Sequence, residues 1–158
     1  MSDIKCSVVS MENIQSNEGA AENFHQLTLS QWDEVDHRRK TSDLNLDYDK
    51  YIMMGNAGMH FIVLAHTDID LIGYLSIFIV ESLHTREITA LTDTIFIKKE
   101  YRKGGLGSDM IAKAEAECKA RGAKNFMVTF KNDSPHPEIV KQSGFFSYET
   151  IYAKYIGD

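Results

Sequence analysis

The chain has 158 residues, 43% hydrophobic and 25% charged, with a formal net charge of −6. That is the length of one ordinary domain able to bury a sizeable core, and the composition excludes wholesale disorder. No apolar run reaches the roughly 18 residues that span a bilayer, and no basic-then-apolar leader opens the chain. The overall acidity argues against a general nucleic-acid binder.

The charge is uneven. Residues 1–87 hold 14 acidic and 6 basic side chains, whereas residues 88–158 hold 9 and 11. A basic half suits an anionic ligand and an acidic half a cationic one. Cys6 and Cys118 lack CxxC or Cys/His spacing, so free thiols in a reducing cytoplasm are expected and a zinc site is not.

In chain order, residues 4–9 read as a first strand. Ser30-Gln31-Trp32-Asp33 has the form of a capping box and predicts a short helix from there to about Arg39. Residues 47–54 predict another, acidic at its start and stopped near Gly55. Residues 60–66 and 71–80 are rich in β-branched and aromatic residues and are joined by the polar turn Thr67-Asp68-Ile69-Asp70. Residues 87–97 follow as a third strand, and short links make all three antiparallel. Residues 71–80 are apolar on both faces, which predicts a central strand.

Beyond Ile97 the period changes to 3.6, with Leu106, Met110, Ile111, Ala114 and Cys118 on one helical face and Gly122 as the stop. Residues 125–130 form the next predicted strand, parallel to its predecessor through a right-handed crossover. A short helix ends at about Gln142, before Gly144, and residues 145–156 supply a final strand or two. With no repeat or linker in sight, residues 1–158 read as one α+β domain, a mixed and mostly antiparallel sheet with helices on both faces.

Between Ile97 and the long helix lies Arg102-Lys103-Gly104-Gly105-Leu106-Gly107-Ser108. A helix begins within this turn, and its first N–H groups lack internal partners. The glycines remove Cβ atoms that would hold an anion away from the backbone. Lys98, Lys99, Arg102 and Lys103 add positive charge. A P-loop is excluded because Ser108 and Asp109 follow Gly107, and a dinucleotide fingerprint because Met110 stands where its third glycine belongs. By itself the turn predicts an anion site or merely a tight connection.

Arg102, Gly105 and Gly107 match the Arg/Gln-x-x-Gly-x-Gly/Ala signature of the GNAT acetyltransferase superfamily. The ordered context from residue 88 to 156, including Asn132 and Gly144-Phe145, resembles that family as well. Trp32-Asp33-Glu34-Val35, Leu46-Asp47-Tyr48, Tyr51, His84 and Asp93 further resemble a branch found in tailed bacteriophages, which would place the protein in the host cytoplasm. The resemblance implies a sheet split by a cofactor cleft between the strands at 87–97 and 125–130. Acetyl-CoA would lie there, its pantetheine paired with main chain at Ile95, Phe96 and Ile97. Its pyrophosphate would sit on backbone N–H groups from Lys103 to Ser108. Asn132 falls in the same cofactor region.

The implied reaction is direct transfer of an acetyl group to a primary amine, on a small molecule or a protein, with proximity supplying much of the rate. A backbone N–H near Ile95 would polarise the thioester carbonyl. Asp93 is the first candidate for handling the amine, and simple alternation places it with Leu91, Ile95 and Ile97. The alternatives are an Asp paired structurally and an anchor for a cationic substrate. His84 titrates in the right range but equally suits an exposed turn. Many GNAT enzymes carry a tyrosine four residues before the Gly-Phe pair, where this chain has Val140. His136, Tyr148, Tyr152 or water would then protonate the thiolate. The same departure leaves open a scaffold that binds a host protein without transfer. Dimerisation is common in the family, so a homodimer is compatible with the resemblance.

Overall fold

The structure, a computed structural model, describes residues 3–35, 42–131 and 137–157. Five strands form one open sheet in sequence order: β1 (Lys5–Val9), β2 (His60–His66), β3 (Leu71–Glu81), β4 (Ile88–Ile97) and β5 (Asn125–Met127). The first three pairings are antiparallel and β4–β5 is parallel. β3 is central, as its two-faced apolar pattern predicts, and Ile72, Leu75 and Ile77 are wholly buried. The β2–β3 link closes as expected, the Thr67 hydroxyl accepting the N–H groups of Ile69 and Asp70.

Helices cover both faces. On one side, α4 (Leu106–Ala120) lays Leu106, Met110, Ile111, Ala114 and Cys118 against Val63, Leu75 and Ile77. On the other, α1 (Met11–Gln15), α2 (Glu18–Val35) and α3 (Tyr48–Asn56) pack Met11, Ile14, Phe24 and Leu27 onto Ile62, Tyr74 and Phe96. Each such side chain contributes about 1.5–3 kcal/mol through burial. Gly73 lets β3 approach β4 closely, because a Cβ there would lie 2.6 Å from the Phe96 carbonyl oxygen.

Three sequence expectations need correction. The predicted helix start at Ser30 lies inside α2, where the Ser30 hydroxyl donates to the Gln26 carbonyl. The helix opens instead at Asn17, whose Oδ1 accepts the Ala20 N–H at 2.9 Å, and buries Phe24, Leu27 and Thr28 at helical spacing. The predicted end near Arg39 lies outside the described residues. The strand expected at 125–130 pairs only through Met127, and residues 128–131 leave the ladder.

The strands expected at 145–156 are not formed. Phe145 still packs edge-on against Phe126, but Phe146 and Tyr152 are 80% and 92% exposed. An alternating segment becomes a strand only where a neighbour supplies ladder partners, and this one meets none among the described residues.

Candidate active site

The site is organised by one extra residue in β4. Ser76 lies opposite Thr94 and Ile77 opposite Thr92, so Asp93 is unpaired in a β-bulge. Before the bulge Ile88 and Ala90 face α4, and after it Ile95 and Ile97 do. Asp93 is therefore turned to the opposite side, among Tyr51, Tyr74 and Ser76. This corrects the expectation from simple alternation, which grouped Asp93 with Ile95 and Ile97.

Asp93 is exposed, yet its Oδ2 accepts two hydroxyl hydrogen bonds, from Tyr51 at 2.7 Å and from Ser76 at 3.2 Å. The Ser76 oxygen is in turn 2.7 Å from His60 Nε2. Since the Ser76 hydrogen goes to the carboxylate, His60 Nε2 carries the proton donated to Ser76. That assignment leaves His60 Nδ1 as a buried lone pair without a partner. Burial, reinforced by the nearby Arg121 guanidinium, pushes the His60 pKa down to about 4, so the ring is neutral. Burial and then the Asp93 charge push the Tyr51 hydroxyl well above its ordinary range, which keeps it a donor.

These groups border a cavity of about 120 Å³, lined among others by Trp32, Leu46, Tyr51, Tyr74, Ser76 and Asp93. A larger hollow of about 620 Å³ beside Glu18, Glu22 and Tyr48 includes no residue of β4 or of the glycine turn.

At the other end of β4 the sheet opens. The β4–β5 ladder ends at Leu91 and Met127, after which Thr92 and Thr129 meet through side-chain contact, the Thr129 N–H donating to Thr92 Oγ1 at 2.8 Å. The Lys98 N–H bonds the Ile72 carbonyl, so alternation turns the backbone groups of Ile95 and Ile97 toward the open edge and those of Phe96 toward β3. The glycine turn follows a 3₁₀ turn at Lys99–Tyr101. Gly104 and Gly105 have φ of +104° and +88°, and a Cβ at either would meet no atom within 4 Å. Gly105 caps α4 without any side-chain bond, and the first helical bond runs from the Asp109 N–H to the Gly105 carbonyl. The N–H groups of Leu106, Gly107 and Ser108 thus lack partners within the helix. An open cradle whose N–H groups have no partner within the helix, beside a strand edge that has left its ladder, fits a pyrophosphate carrying an extended amide chain.

The basic residues of the turn differ in availability. Arg102 gives its Nε to the Ile97 carbonyl at 2.8 Å and an NH2 to Glu34 at 2.6 Å, while Lys98 holds both oxygens of Asp70. Lys99 and Lys103 are exposed. His84 lies in the exposed turn between β3 and β4 and does not line the Asp93 cavity. Arg86 in the same turn has φ of +63° and pairs with Glu81. Asn132 and His136 lie outside the described residues. Val140 is half-buried in α5 (Pro137–Gln142), and Tyr148 and Tyr152 are exposed. Sequence reading missed the His60–Ser76 link and the bulge. The signal available for the link was a histidine at the start of β2 and a serine within the largely apolar β3.

The sheet, the cradle and the open edge define a class of fold, and comparison with known proteins agrees with it. The acetyltransferase (GNAT) family model matches residues 21–145. The chain belongs to that family, whose acetyltransferases use acetyl-CoA. No curated protein sequence matches it. Among solved structures it is similar to an aminoglycoside acetyltransferase from an uncultured soil metagenomic sample, in complex with sisomicin. The TM-score is 0.75 at 11% identity over 98% of this chain and 95% of that one. It is also similar to a ribosomal-protein-alanine N-acetyltransferase from Brucella melitensis biovar Abortus 2308, with a TM-score of 0.69 at 12% identity over 96% and 99% of the two chains. A predicted acetyltransferase with acetyl-CoA from Clostridium acetobutylicum gives a TM-score of 0.67 at 12% identity over 97% and 96%. At these identities the likeness concerns the fold. No helix among the described residues is long and apolar enough to cross a membrane.

Proposed function

We propose that the protein transfers an acetyl group from acetyl-CoA directly to a primary amine, with Asp93 receiving the amine. The observation that carries this reading is the layout of β4. The bulged carboxylate stands two residues before the open-edge backbone of Ile95, on the strand that leads into the uncapped helix.

Acetyl-CoA, when bound, supplies an activated acetyl thioester and a thiolate leaving group. The backbone N–H groups of Leu106, Gly107 and Ser108 hold its pyrophosphate, with Lys103 adding charge. Ile95 and Ile97 offer main-chain groups to the pantetheine, and the Ile95 N–H is the donor available to polarise the carbonyl. Asp93 binds the ammonium and takes its proton, directly or through one water. The freed nitrogen lone pair forms the N–C bond as the C–S bond breaks. The sulfur departs as thiolate and takes up, relayed through water, the second proton that the nitrogen sheds as the amide forms, because Val140 has none to give. Tyr51 and Ser76 hold the carboxylate in place for this exchange.

The test is calorimetric titration with acetyl-CoA, followed by thiol release over a panel of amines and peptides. Binding that is lost in Gly105→Val supports the cradle. Absence of binding at millimolar acetyl-CoA overturns the proposal. A second reading, a scaffold that captures a protein without transfer, is favoured by the exposed Phe146, Tyr148, Ile151 and Tyr152. An acetylated partner detected by mass spectrometry decides against it.

A further inference from the structure

The cavity beside Asp93 restricts what the acceptor can be. It measures about 120 Å³, somewhat less than an engineered apolar cavity of about 150 Å³ that admits benzene, and far below the roughly 300–1,000 Å³ of drug-sized sites. The rings of Trp32, Tyr51 and Tyr74 and the aliphatic side chains of Leu44 and Leu46 supply much of its wall, with Thr28, Gln31, Ser76 and Thr94 adding neutral polar groups. Among the described residues lining it, Asp93 alone carries charge. Aromatic faces attract a cation, and a single carboxylate neutralises a single one. A polyamino sugar brings several ammonium groups and more bulk than about 120 Å³ admits, and the described lining offers those charges one carboxylate.

We infer that the acceptor is a primary ammonium on a slender, unbranched apolar stem, either a short alkylamine or the end of a lysine side chain. We further infer that Trp32 sets the width of the pocket. The inference rests on the acetyl-transfer reading for its consequence in turnover, but not for binding. It separates this chain from the sisomicin-bound protein whose fold it resembles.

Trp32 is the sole tryptophan of the chain, so its fluorescence reports on the pocket directly. Butylammonium, a lysine-bearing peptide, butyrate and sisomicin are titrated against the full chain, with and without acetyl-CoA, and thiol release is followed in parallel. Saturable fluorescence change is expected with butylammonium or the peptide, whichever source supplies the stem, and not with butyrate or sisomicin. Asp93→Asn should abolish the response while leaving acetyl-CoA affinity unchanged. Trp32→Ala should raise KM for the slender amine by about 5- to 10-fold, the loss of one cation–aromatic contact, and improve relative turnover of bulkier amines. Trp32→Phe, which keeps a ring, should largely restore KM. Sisomicin turned over as efficiently as butylamine would overturn the inference, as would no saturable response to either slender amine. A fluorescence response without acetyl-CoA binding would instead sustain the pocket and sink the transfer reading.

Discussion

The Tyr51 hydroxyl donates to Asp93 Oδ2 at 2.7 Å, joining α3 to a bulge 42 residues further along the chain. Tyr51 is also held by aromatic contacts, its ring 4.9 Å from His60 and stacked 5.9 Å from Phe78. The hydroxyl and the ring therefore have separable duties. Tyr51→Phe keeps the ring and removes the bond. With a hydrogen bond to a charged group contributing about 1.5–3 kcal/mol, kcat/KM for the amine should fall by about 10-fold or more. Because the ring contacts remain and Asp93 is exposed, the melting temperature should fall by only about 3–6 °C. Steady-state kinetics beside a thermal melt check both parts.

Gly73 and Gly105 make a contrasting pair. A Cβ at Gly73 meets the Phe96 carbonyl oxygen at 2.6 Å, and β3 must move to accept it. Gly73→Ala should destabilise the fold by about 2–3 kcal/mol, the cost of overpacking a core. At Gly105 an added Cβ has free space but an unfavourable φ of +88°. Gly105→Ala should cost about 1–2 kcal/mol of stability and weaken acetyl-CoA binding disproportionately. Denaturant unfolding and calorimetry distinguish the two outcomes.

His60 predicts a pH effect on stability. Its folded pKa of about 4 lies below the model-compound value of 6.5, so between these limits the unfolded chain binds more protons than the folded one. Stability is therefore fully present above pH 6.5 and is lost as pH falls toward 4, by about 3 kcal/mol at most. His60→Gln retains a donor near the Nε2 position and removes the titration. Its melting temperature should vary less than that of the wild type between pH 6.5 and 5, above the range where most carboxylates protonate.

The two thiols bear on any thiol-release assay. Cys118 is buried in the core, and burial pushes its pKa up to about 11; Cys6 is half-buried, with its pKa raised mainly by burial. The thiolate is the reactive form, so both should react slowly with a disulfide reagent at pH 8. Labelling before and after denaturation should show Cys118 reacting only when unfolded and Cys6 slowly beforehand.

Much of the fold is legible in the sequence where one physical signal dominates. The central place of β3 follows from residues apolar on both faces, and the buried stripe of α4 from a clean helical period. The start of α2 was misread because Ser30 and Asp33 imitate a cap, whereas Asn17 is the residue that caps. The glycine turn before α4 is legible because glycines at positive φ serve a local need. The polar cluster around Asp93 is not, because a bulge is a count of residues between two strands and leaves no mark within either one. His60, Ser76, Tyr51 and Asp93 come from three strands and a helix, and only the pairing register brings them together.

The unpaired residue at position 93 has a consequence for how the site can vary. A strand without the insertion would send the same carboxylate into the apolar layer beneath α4, where its charge would have no partner. The location of the acid is thus encoded by chain length as much as by residue identity. Loss of a single residue from β4 after Ala90 would exchange the two sides of the sheet for everything between the deletion and the bulge. Aspartate could be retained letter for letter while the chemistry vanished. Among distant relatives, an aligned acid is therefore informative only where the same offset between neighbouring strands accompanies it.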